Sequence, residues 1–149
     1  MVLARSRATA FNVAMIDHDM PSLFRPLLPD AVRLAEMPPD RADPAALTAD
    51  ELQQIARAVP KRRLEFAAGR QLARWLLDDM GQGIDALLSD ADRVPCWPQP
   101  VIGSITHCRS LCAVAVVPRA LSLGIGLDVE PAEPMKPELV PMILREPER

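Results

Sequence analysis

The apolar positions change period along the chain, and the changes divide it into elements. Short runs with strand character come first, AFNVAMI at 10–16 and AVRLAEM at 31–37, joined by a proline-bounded link. PPDRADP then reads as a loop. Thr48 follows as a helix cap, with Glu51 three positions on completing a capping box, and this helix is predicted to run to about Val59. Pro60 suits the first turn of a second helix, predicted through KRRLEFAAGRQLARWLLDDM and stopping at Gly81. Leu64, Ala68, Leu72, Trp75 and Leu76 form its apolar stripe, while Arg63, Arg70 and Arg74 recur on another face with Arg62 at the edge. Alone, that face reads as a solvated basic surface.

Residues 81–100 are mostly connection, with one short helical turn predicted at IDALL. Three segments with strand character follow: VIGSITH, LCAVAVVP and ALSLGIGLDVE, spaced by turns as in a meander. A further helix is predicted to begin in PMKPELVPMILREPER. Strands, then helices, then strands predict an α+β fold rather than a doubly wound parallel sheet.

Composition narrows the functional classes. With 49% apolar and 25% charged residues in 149, the chain is an ordinary globular one with room for a core. Eight of its 16 prolines cluster in PPD, PCWPQP and EPAEPMKP, where they punctuate connections. The net charge of −3 gives no nucleic-acid footprint, no apolar run is long enough to span a bilayer, and no signal-peptide pattern opens the chain; the expected location is the cytoplasm. Yet Lys61, Arg62, Arg63, Arg70 and Arg74 stand against Glu65 alone over 61–74, and the chain from Asp128 onward is net acidic. A local basic patch beside an acidic site suits a phosphorylated small molecule held with a metal. Cys96, Cys108 and Cys112 make no disulfide framework; Cys108 and Cys112 beside His107 lack the second pair a zinc site requires, and read as small buried thiols. His18, between Asp17 and Asp19, reads as a loop residue.

The stretch GIGLDVEP at 124–131 carries the sharpest question. On a strand, Asp128 and Glu130 share one face with Val129 on the other. Two readings stand: a strand ending in a solvated acidic turn, or a carboxylate pair held together by a divalent cation.

Four segments in order, KRRLEFAAGRQLAR, the PCWP turn, GSITHC and GIGLDVEP, resemble the 4′-phosphopantetheinyl transferases, especially those of the enterobactin-synthetase component D type. The resemblance covers about residues 45–149. It implies an α+β fold of two pseudo-symmetric halves, here the first half over 1–120 and the start of a second over 121–149. It also implies transfer of the phosphopantetheine arm of coenzyme A to a serine of an acyl or peptidyl carrier protein, with Mg²⁺, releasing 3′,5′-ADP. By the same resemblance Arg62, Arg70 and His107 contact coenzyme A phosphates, Arg93 is a further phosphate-binding residue, and Ser104 and Thr106 add donors. Asp128 and Glu130 are the first two magnesium ligands. The family's later (W/F)-x-x-K-E-x-x-x-K motif, with its third ligand and the group that deprotonates the serine, has no match here, so no catalytic residue is assigned and transfer is expected to be impaired. The alternative is a non-catalytic remnant that binds coenzyme A or a nucleotide, or a partner.

Overall fold

A computed structural model describes residues 21–134 and 136–143. The strand expected over 10–16, His18 and the closing REPER lie outside them. The described elements are strand β1 (Arg33–Met37), helix α1 (Ala49–Gln54), helix α2 (Pro60–Asp79), strands β2 (Val101–His107) and β3 (Cys112–Pro118), and the four-residue helix α3 (Val140–Ile143). The class is α+β. The three strands form one antiparallel sheet in the order β1-β3-β2, with His107 opposite Cys112 and Arg33 opposite Val116.

β3 is apolar at every position from 112 to 117 because both faces of the sheet are covered. Cys112, Val114 and Val116 join the core beneath α2, which includes Leu72, Leu76, Leu77 and Leu87. Ala113, Ala115 and Val117 pack in the other layer with Phe24, Val32, Ile102 and Val129. Each fully buried aliphatic side chain is worth about 1.5–3 kcal/mol, so the central strand anchors both layers.

The capping box at the start of α1 is present: the Thr48 hydroxyl accepts from Glu51 N–H and the Glu51 carboxylate accepts from Thr48 N–H. α1 ends at Gln54, earlier than Val59, in a turn where Ala58 N–H closes on the Ile55 carbonyl (2.9 Å). α2 begins at Pro60 and has no β-branched residue among its 20. Its burial is broader than one stripe. Every residue from Glu65 to Ala73 is buried, whereas Leu64 and Trp75 are only partly so. Gly69 lets the helix approach the sheet, since a Cβ there would stand 2.8 Å from Ile105 Cγ2.

Three expectations change. The basic face of α2 is not a solvated stripe: Arg63 bonds the Ala56 and Ala58 carbonyls (2.8 and 3.0 Å), Arg74 pairs with the buried Glu51, and Arg70 is itself buried. IDALL is not helical, and its Leu87 is fully buried with its N–H held by Glu51 (3.0 Å). Nor do residues 120–130 form a strand. They cross the sheet face opposite α2, and the N–H groups of Leu127 and Val129 donate to the Ser104 and Thr106 hydroxyls (2.9 and 3.0 Å) rather than to a neighbouring backbone. The alternation survives without the ladder, with Val129 buried between exposed Asp128 and Glu130.

Candidate functional site

The C-terminal turn of α1, the first half of α2, residues 89–95 and the end of β2 enclose a cleft of about 480 Å³. It is lined by the cationic side chains Arg57, Arg62, Arg70 and Arg93, with His107, against two acidic ones, Glu65 and Asp90. Four of the six residues expected to bind the coenzyme, Arg62, Arg70, Arg93 and His107, thus meet in one place although 45 positions separate the outermost two.

Arg70 is the most unusual group. Its side chain lies in a residue only 5% exposed, its guanidinium rests 4.1 Å above the Phe66 ring, and Nη2 donates to the Ser89 hydroxyl (2.7 Å). Its Nε is buried without a hydrogen-bond partner. Burial pushes its pKa down to about 10; Glu51 opposes the shift, and Arg62 and Arg74 add to it. It therefore stays cationic at neutral pH. A buried cation with an unspent donor calls for an anion.

Arg62 Nη1 lies 2.6 Å from His107 Nε2. A guanidinium only donates, so Nε2 accepts and the imidazole is neutral with its proton on Nδ1, 3.5 Å from the Glu65 carboxylate. Burial pushes His107 below its ordinary value; Glu65 opposes this, and Arg62 and Lys61 reinforce it. An anion arriving between Arg62 and His107 favours the imidazolium and turns both donors toward itself.

Arg93 sits at φ 67°, the left-handed region that costs a non-glycine residue about 1–2 kcal/mol. The Asp90 carboxylate holds that turn by accepting from Asp92 and Val94 N–H (3.0 and 2.9 Å). Arg57, Phe66 and Ser89 are cleft residues that sequence reasoning missed. The i,i+4 spacing of Phe66 and Arg70 was the available signal.

Ser104 and Thr106 are not in the cleft lining; alternation on β2 puts them on the face opposite Ile105 and His107, where they hold the 127–129 backbone. Asp128 and Glu130 also lie outside the lining, exposed on that held segment. Glu130 is near enough to influence the thiol of Cys108, the neighbour of His107. Burial pushes that thiol up, hydrogen bonds with Ser110 and Leu111 outweigh it, and the net shift is downward against Glu130. Among the described residues no group of three or more His, Cys, Asp or Glu side chains converges as a metal site. Two exposed carboxylates fit magnesium's habit of taking one or two carboxylates and completing its shell with water and substrate phosphate.

Residues 50–117 match the family model described as the 4′-phosphopantetheinyl transferase N-terminal domain. The chain is 38% identical over 108 residues to 4′-phosphopantetheinyl transferase Svp of Streptomyces mobaraensis, covering 72% of this chain and 44% of that protein. It is 33% identical over 127 residues to 4′-phosphopantetheinyl transferase Npt of Nocardia iowensis, covering 85% and 57%. With enterobactin synthase component D of Escherichia coli it shares 39% identity over 77 residues, covering 52% and 35%. The chain belongs to the 4′-phosphopantetheinyl transferase superfamily. It spans about half the length of the first two of these relatives. No helix among the described residues is long and apolar enough to cross a membrane.

Proposed function

We propose that the cleft binds coenzyme A by its phosphates and that the chain is the coenzyme-binding part of a phosphopantetheinyl transferase. Arg62, Arg70, Arg93 and His107 supply the phosphate contacts; residues 1–120 form the first half and 121–149 begin the second. The observation that carries the reading is Arg70, a buried cation with an unpartnered Nε beside the Arg62–His107 pair in one cleft. Charge-assisted contacts of this kind are about twice as strong as neutral ones, and a ligand with a pyrophosphate and a 3′-phosphate uses several at once.

The reaction is attack of a carrier-protein serine hydroxyl on the phosphate bearing the pantetheine arm, with 3′,5′-ADP leaving. Asp128 and Glu130 offer two carboxylate oxygens to Mg²⁺, which when bound neutralises charge growing on the departing phosphate. We expect transfer by this chain alone to be slow, because the resemblance assigns it no residue that deprotonates the serine. The unassigned base leaves a second reading, a coenzyme A-binding module without transfer. Mass spectrometry of an apo carrier protein incubated with the chain, coenzyme A and Mg²⁺ decides. A slow mass gain on the carrier's serine supports the transferase, binding without any gain supports the module, and no binding refutes both.

A further inference from the structure

Two side chains of α1 reach the same stretch of the cleft wall. Glu51 and Gln54, three positions apart, share a helix face. Glu51 Oε1 accepts from Leu87 N–H (3.0 Å). Gln54 Oε1 accepts from Ser89 N–H (3.0 Å), and its Nε2 donates to the Ser89 carbonyl (2.8 Å). The carboxamide thereby satisfies both backbone groups of one residue, as a neighbouring strand would. On the other side of this stretch Cys96 N–H donates to the Leu88 carbonyl (2.8 Å) and Ser89 pairs with Pro95, closing the turn that carries Arg93. The Ser89 hydroxyl then accepts from Arg70 Nη2 (2.7 Å).

We propose that Gln54 is a positioning residue for the anion cleft: by clamping Ser89 it fixes the hydroxyl that aims Arg70. The proposal rests on the reading of the cleft as a coenzyme A site. Its chemical logic lies in neutrality. A carboxylate in place of the Ser89 hydroxyl would orient Arg70 equally well but would cancel its charge, whereas a hydroxyl fixes direction and leaves the charge for the ligand. A hydroxyl on an irregular segment needs its backbone held, and Gln54 holds it at both polar groups. Because Gln54 is exposed, its removal disturbs the core little.

The test compares Gln54→Ala and Gln54→Glu with wild type by calorimetric titration of coenzyme A and by the nitrogen-15 NMR signal of Arg70 Nε–H in the ligand-free protein. Gln54→Ala should weaken binding about ten-fold with an almost unchanged melting temperature. Gln54→Glu keeps the acceptor for Ser89 N–H but faces the Ser89 carbonyl with an oxygen, so it should not restore wild-type affinity. In an Arg70→Gln background the Gln54→Ala loss should shrink below about two-fold, because the aimed group is gone. Free of ligand, the Arg70 signal should shift or broaden in Gln54→Ala. Equal losses in both backgrounds, or an unmoved Arg70 signal, overturn the proposal. If wild type fails to bind coenzyme A, the functional reading falls, and the Arg70 signal alone still decides the positioning role.

Discussion

Replacing Glu51 by glutamine tests how the cleft wall is held to the core. Glu51 is fully buried, and its two oxygens serve three donors: Leu87 N–H on Oε1, and Thr48 N–H (3.0 Å) with Arg74 Nη1 on Oε2. A carboxamide is nearly isosteric but has one acceptor. With its oxygen toward Thr48 and Arg74, its NH₂ meets the buried Leu87 N–H, leaving donor against donor at about 1–3 kcal/mol. Arg74, whose side chain is 16% exposed, keeps the Ala46 carbonyl (2.8 Å) and a bond to the carboxamide oxygen but exchanges a carboxylate acceptor for a neutral one, a loss of about 1–1.5 kcal/mol. The sum is about 2–4.5 kcal/mol, a large share of the roughly 5–15 kcal/mol typical of a domain. Helix α1 itself is not the cause, because glutamine serves a capping box as glutamate does and has similar helix propensity. Urea unfolding should show the midpoint falling with an unchanged slope. Adding Arg74→Gln should cost less in the Glu51→Gln background than in wild type. A loss under about 1 kcal/mol for Glu51→Gln would refute the account of this buried carboxylate.

Other outcomes follow from the same geometry. His107, held below its ordinary value in the fold, binds its proton less readily than in the unfolded chain, so stability falls as pH drops from about 6.5 through the folded value. Urea midpoints at pH 7.5 and 5.5 should therefore converge when His107 is replaced by glutamine, and an equal pH effect in that variant would exclude the imidazole. A Cβ at Gly103 would stand 2.6–2.7 Å from three atoms of the Trp97 ring, so Gly103→Ala should cost about 1–3 kcal/mol and alter tryptophan fluorescence; an unchanged spectrum and midpoint would contradict that packing. Mg²⁺ should bind better with coenzyme A present than alone, and Asp128→Ala should abolish that synergy in calorimetry; equal metal affinity in wild type and variant would remove the acidic pair from the site.

What could be read from the residues depended on whether the signal was local. The Thr48–Glu51 capping box, the Pro60 start of α2 and the β-branched runs of β2 and β3 are set within a few positions, and they formed as expected. The segment 120–130 has the right alternation for a strand, but a strand needs a partner, and the hydroxyls of Ser104 and Thr106 on β2 took its N–H groups instead. Arg63, Arg70 and Arg74 share a helical face in projection. Their fates diverge because the connections packed around α2 differ, supplying carbonyls to one, a serine to the next and Glu51 to the third. The cleft shows the same division. Arg62, Arg70 and His107 came from motif resemblance, whereas Ser89 and Gln54 act through backbone contacts 35 positions apart that no spacing rule announces.

Whether the cleft takes coenzyme A by its phosphates is measured directly by calorimetric titration of coenzyme A and dephospho-coenzyme A into wild type, Arg70→Gln and His107→Ala. Each lost charge-assisted phosphate contact is worth about 1.5–3 kcal/mol. Wild type should bind coenzyme A at least about ten-fold more tightly than the dephospho form. His107→Ala should erase most of that preference, and Arg70→Gln should weaken coenzyme A about ten-fold or more. Equal affinity of wild type for the two ligands, or coenzyme A binding unaffected by Arg70→Gln, would contradict the account.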